Sequence, residues 1–271
     1  MTDNHSTLEK EASQLAQQLF GDDIKKSARF INRLLDICTR AQDKNLILIH
    51  NPGGWGDTPL EQCLKWERSI VEGISTTIEN LGYSWLLIQY FRSDNSWWSH
   101  MQDMREQFRF SSTGKSAKAR VMSAELKFIV QHINNIKIIL IGVSQGAGFS
   151  NTVIQQLGEL RQIYSVELGT FFPYMRRRVI TERTLAIDSN GVVPDPVVQW
   201  CNRNLRAGFK AYITAPFRWL KYRMQGKPEK FTYCINVPGH DYNWEYPTIR
   251  QKITDFLEIN LGTKSKLEVR S

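Results

Sequence analysis

Apolar positions along the chain fall into two kinds of run. In the first 45 residues Leu15, Leu19, Ile24, Phe30, Ile31, Leu34 and Leu35 recur at loosely helical spacing. The pattern breaks at Gly21-Asp22-Asp23, which predicts a helical N-terminal extension over 1–44. Beyond it, short solid apolar runs alternate with amphipathic stretches. The solid runs predict strands at 45–50, 85–91, 136–143, 163–168, 183–188 and 231–237. The amphipathic stretches predict helices at 59–81, closed by Gly82 as a C-terminal cap, and at 118–133, 145–157 and 247–261.

Strands that alternate with helices imply an α/β fold. The sheet should be doubly wound and mostly parallel, with helices on both faces. Continuously apolar strands suit burial on both faces. In such sheets ligands sit outside the carboxyl ends of the strands, so chemistry is expected in the loops after His50, Phe91, Val143, Asp188 and Val237. The sequence predicts one large domain over 45–262 and a short C-terminal tail at 263–271.

Composition narrows the picture. The chain has 271 residues, 41% of them hydrophobic and 23% charged, which excludes a disordered or collagen-like chain. Cys38, Cys63, Cys201 and Cys234 are scattered without CxxC pairing, which argues against a disulfide framework or a structural zinc site. The polar N-terminus lacks a signal-like apolar core, and no apolar run approaches the roughly 18–20 residues that cross a bilayer. The expected location is the cytoplasm, with peripheral membrane contact as the one variation.

The candidate chemistry starts at Gly142-Val143-Ser144-Gln145-Gly146, a GxSxG sequence between a buried strand and a helix. Small residues on either side of Ser144 permit a sharp turn that holds the hydroxyl at the top of the sheet. The amide of Gln145 then lies at a helix N-terminus, where it can stabilise an oxyanion. The same residues also suit a plain strand-to-helix turn with Ser144 as a cap.

A serine nucleophile needs a base, and the chain has five histidines. His5 lies in the polar N-terminus, and His132 lies late in an amphipathic helix. His100 follows Trp97-Trp98, and His50 ends the first strand. His240 follows the last strand in Val-Pro-Gly-His-Asp-Tyr, at a carboxyl end of the sheet like Ser144. The base needs an orienting carboxylate. Asp188 closes a strand and fits best by position; Asp195 follows in Gly191-Val-Val-Pro-Asp195, and Glu167 lies near another strand end.

In the order Ser144, acid, His240, the chain resembles the α/β-hydrolase superfamily over roughly 45–262, in the manner of its serine esterases and lipases. The resemblance implies Ser144 as nucleophile, His240 as base and Asp188 as acid, with Asp195 as runner-up. It likens His50-Asn51-Pro52-Gly53-Gly54-Trp55-Gly56 to the family's oxyanion loop. Pro52 has no N–H, so the donors would be Gln145 with Gly53 or Gly54. Many lipase-like members carry Asp where this chain has Asn190, and an amide cannot stabilise an imidazolium as a carboxylate does. The implied activity is hydrolysis of a carboxylic ester or thioester, with a lipidic acyl chain as one substrate class and no metal or organic cofactor. The other reading is a weak or inactive hydrolase-fold protein that binds a membrane surface or a protein partner.

Three further signals stand outside this site. Ser112-Thr113-Gly114-Lys115-Ser116 echoes the end of a P-loop, but Arg109 stands where the first glycine is required, which excludes it. Trp97, Met101, Met104 and Phe108 share a helical face that suits packing or a lid beside the site. The net charge is +8. Eight basic residues against only Glu229 place +7 of it in 198–230, among Phe209, Tyr212, Phe217, Trp219 and Tyr222. A basic, aromatic, cap-like insertion of this kind suits an anionic membrane surface or a cover over the pocket. Nucleic acid is disfavoured, because no nucleic-acid-binding motif accompanies the charge.

Overall fold

The computed structural model describes residues 2–54, 56–92, 116–158, 160–198, 214, 217–218, 220–226 and 237–262. Five strands form one all-parallel sheet: β1 (Leu46–Asn51), β2 (Trp85–Gln89), β3 (Lys137–Val143), β4 (Ile163–Leu168) and β5 (Thr184–Ile187). Their order is β2-β1-β3-β4-β5, so the chain adds strands first to one side of β1 and then to the other. The helices are α1 (Thr2–Phe20), α2 (Ile24–Arg40), α3 (Lys65–Asn80), α4 (Ala117–His132), α5 (Gln145–Leu157), α6 (Phe172–Met175) and α7 (Pro247–Leu261).

Strand periodicity divides the core in two. Ile47, Ile49, Ile138 and Leu140 face a cluster with Leu34, Leu126, Ile129 and Val153, which come from α2, α4 and α5. Their neighbours Leu46, Leu48, Ile139 and Ile141 face Ile70 and Ile74 of α3 and Ile249, Ile253 and Leu257 of α7. Successive strand side chains point to opposite faces, so a sheet covered on both faces must be apolar at every position. The N-terminal helices join the first cluster through Ala12, Ala16, Phe30 and Leu34. Asp23 stops the break between them by accepting a hydrogen bond from the Lys26 amide at 3.0 Å, as an N-cap does.

Most predicted elements shift only by one or two residues, but 59–81 does not form one helix. A 3₁₀ turn at Leu60–Gln62 comes first, and α3 begins at Lys65 after extended residues Cys63 and Leu64. The backbone of Leu64 is extended, so the helix cannot run through it. The predicted strand at 231–237 lies outside the described residues except for Val237, as do the segment around Trp97–Phe108, the tail at 263–271 and most of 198–230. Among the described residues no helix is long and apolar enough to cross a membrane.

Candidate functional site

The turn at Gly142–Gly146 is held from three sides. Ser144 has φ +52° and ψ −112°, a conformation that costs an L-residue on the order of 1–3 kcal/mol. Its N–H donates to the carbonyl of Leu168 at the end of β4 (2.8 Å), and its own carbonyl accepts from Ala147 (3.1 Å). The flanking glycines are sterically required. A Cβ on Gly142 would come within 2.6 Å of the Gly146 carbonyl oxygen, and one on Gly146 within 2.1 Å of the Asn51 carbonyl oxygen. The loop after β1 therefore rests directly on the turn. Asn51 adds a buried hydrogen bond to Ser150 of α5 at 2.7 Å. A Cβ built on Gly53 would lie 3.9 Å from the Ser144 Cβ, so the loop reaches the serine.

The predicted oxyanion donors are not equivalent. Gln145 is the first residue of α5, where no preceding turn accepts its amide. The Gly53 amide is engaged, because it donates to Glu67 Oε1 at 3.3 Å. Gly54, with φ +56°, makes no such contact to Glu67, and Arg92 fixes its carbonyl at 3.0 Å. Arg92 also bonds the Pro52 carbonyl at 2.6 Å, so a buried guanidinium shapes the whole loop.

His240 lies over the end of β4. A Cβ on Gly169 would meet His240 Cε1 at 2.7 Å and Tyr242 Cε2 at 2.6 Å. Because Leu168 bonds the Ser144 amide, serine and imidazole flank the same strand end. The Trp66 ring, from the first turn of α3, stands edge-on to His240 at 6.3 Å between centroids.

The carboxylate that meets this imidazole is Asp195, and this corrects the expected pairing with Asp188. Asp195 Oδ2 lies 2.7 Å from His240 Nδ1 and 2.5 Å from the Tyr242 hydroxyl, and its Oδ1 accepts from the Val197 amide at 2.8 Å. Asp195 is fully buried. An ionised acceptor places the imidazole proton on Nδ1 and leaves Nε2 basic. Burial first, and the Asp195 charge second, hold the Tyr242 phenol above its ordinary range, so Tyr242 donates to Asp195.

Asn190 explains how Asp195 arrives there. Its Oδ1 accepts from the Val192 and Val193 amides, each at 2.9 Å, and its Nδ2 donates to Asp241 beside the imidazole at 3.0 Å. Ser189 then bridges to Pro194. A Cβ on Gly239 would come within 2.6 Å of the Pro194 carbonyl oxygen, so the acid loop and the histidine loop pack backbone to backbone. Asn190 is a turn-former that carries the acid five residues further on.

Asp188 does something else. Arg178 Nη1 holds it at 2.7 and 2.8 Å, and Arg178 Nε holds Glu167 at 3.1 Å. Burial is the main reason that the Glu167 carboxyl is pushed up to about 7, against the hydrogen bonds from Asn151 and the charge of Arg178. Glu167, the third candidate acid, is thus part of this ion cluster.

Glu67 was not legible in the sequence. It is buried at the start of α3 and accepts from both Gly53 and His50, whose Nε2 lies 2.9 Å away. With Cys63 these two residues form the one cluster among the described residues with the donors to hold a metal ion. No protein-family model matches the chain, and comparison with curated proteins likewise finds no match.

Proposed function

We propose that the protein is a serine hydrolase of α/β-hydrolase type that cleaves a carboxylic ester or thioester. The observation that carries this reading is the 2.7 Å contact between buried Asp195 and His240, beside a strained Ser144 between two obligatory glycines. The strand order and the helices on both faces support a doubly wound arrangement of that type.

In this reading Ser144 Oγ attacks the substrate carbonyl while His240 Nε2 takes its proton. Asp195 stabilises the imidazolium that forms, and Tyr242 fixes the carboxylate. The Gln145 amide and the amide of Gly54 hold the oxyanion, joined by Gly53 if its bond to Glu67 opens. His240 returns the proton to the departing alcohol or thiol, and water then releases the acyl group by the reverse sequence.

Turnover of p-nitrophenyl esters and acyl thioesters of graded chain length tests this. Wild type should hydrolyse at least one series, and Ser144→Ala should lose about 10³-fold or more in kcat/KM. Equal rates for the two proteins would refute the reading.

A membrane-facing role for the basic insertion has its own support. At 217–218 and 220–224 the described backbone is helical. Phe217, Leu220 and Met224 are 72%, 52% and 81% exposed there, spaced for one helical face, beside Arg218, Lys221 and Arg223. Such a face suits an anionic membrane from which the substrate is drawn. Sedimentation with anionic vesicles should capture the protein in low salt and release it in high salt; binding that ignores lipid charge and salt would contradict this.

A further inference from the structure

Three ligand-type side chains meet behind the glycine loop without serving as nucleophile, base or acid in the proposed reaction. His50 comes from the end of β1, Cys63 from the extended residues before α3, and Glu67 from the first turn of α3. All three are buried, and one donor atom of each lies within 4.8 Å of the others. We propose that His50, Cys63 and Glu67 bind a single divalent transition-metal ion of the zinc class.

The donor set fits that class. Imidazole nitrogen, thiolate and carboxylate are the three ligand types that zinc takes, and three protein ligands with a fourth open position form a recognised tetrahedral arrangement. A neutral imidazole, a thiolate and a carboxylate together carry two negative charges, which a divalent cation neutralises. Metal bonds of about 2.0–2.3 Å place tetrahedral donors roughly 3.3–3.8 Å apart. His50 Nε2 and Glu67 Oε1 now stand 2.9 Å apart, so the three donors need only sub-ångström to ångström adjustments to converge.

Glu67 also has few hydrogen-bond donors around it among the described residues. A buried carboxylate needs compensation. Among the described residues Glu67 takes one long amide contact and the His50 ring. Among the described residues His50 Nδ1 is buried with no hydrogen-bond partner. On binding, the ion replaces the proton on His50 Nε2, the imidazole carries its proton on Nδ1, and the Cys63 thiol releases one proton to solvent. The same Glu67 oxygen holds the Gly53 amide, so occupancy of the site and the set of the glycine loop are linked.

Cobalt titration of chelator-treated full-length protein tests the site. One equivalent of Co²⁺ should produce a thiolate-to-cobalt charge-transfer band, and one equivalent of Zn²⁺ should abolish it. Cys63→Ser should remove the band and Glu67→Gln should weaken binding by about 100-fold. Cys38→Ser and Ser144→Ala should leave both unchanged, so the result stands whether or not Ser144 is a nucleophile. If the variants fail to fold, wild type alone decides. Zn²⁺ should slow alkylation of Cys63, followed by peptide mass mapping, at least about tenfold. A band that survives in Cys63→Ser, no stoichiometric binding, or unchanged Cys63 alkylation would overturn the proposal.

Discussion

Two carboxylates follow β5 seven residues apart, Asp188 half-buried and Asp195 fully buried, and their partners separate them. Asp188 is gripped by Arg178, a guanidinium that never gives up its charge. Asp195 meets His240, an imidazole, the kind of side chain that can pass a proton to and from a neighbour. A carboxylate balanced by a permanent cation has its charge already spent on holding the loop to β4. In the proposed reaction, a carboxylate facing an imidazole stabilises a charge that appears only as the proton moves. The comparison teaches that position at a strand end makes an acid a candidate, and the chemistry of its partner assigns its work.

The largest expected effect breaks the comparison at its active side. Asp195→Asn should lower kcat by about 10⁴-fold while the protein stays folded, because the amide favours the wrong imidazole tautomer. Asp188→Asn should leave kcat within a few-fold of wild type and lower the melting temperature instead. Steady-state kinetics beside thermal melts check both.

Next comes the structural side. Arg178→Met leaves Glu167 and Asp188 without their cation, and chemical denaturation should show a loss of about 3–5 kcal/mol. Glu167 adds a pH signature to this corner. Burial keeps its carboxyl protonated up to about 7 in the folded chain, against an ordinary value of 4.5. Between those values the folded state binds more protons than the unfolded one, so stability should fall as pH rises from 4.5 to 7 and level off above. Glu167→Gln should remove that slope, seen as parallel denaturation midpoints at pH 5 and pH 8. The smallest effect is expected at Tyr242→Phe, which removes one of two bonds to Asp195 Oδ2. Losing that bond should cost about 1 kcal/mol, read as a drop in kcat/KM of roughly fivefold to tenfold.

The sheet was legible because strands buried on both faces cannot hide their composition: Leu46–Ile49 and Ile138–Ile141 are solid apolar runs that feed two cores. The turn at Ser144 was legible for a related reason, since it follows a strand and lies between glycines that the turn demands, while His240 follows Gly239, which packs against Pro194. The carboxylate that meets His240 was not, because Arg178 captures Asp188 from a loop ten residues upstream, and the Asn190 turn redirects the chain so that Asp195 reaches the imidazole. Glu67 carries no periodic signal either. Its role depends on α3 starting at Lys65 and on a bond to His50 seventeen residues away.

The central claim is that Ser144, His240 and Asp195 act together while Asp188 stands apart. Fluorophosphonate labelling followed by peptide mapping tests it most directly. Wild type and Asp188→Asn should be labelled at Ser144 at similar rates, Asp195→Asn far more slowly, and Ser144→Ala not at all. No labelling of wild type, or slow labelling of Asp188→Asn beside normal labelling of Asp195→Asn, would contradict it.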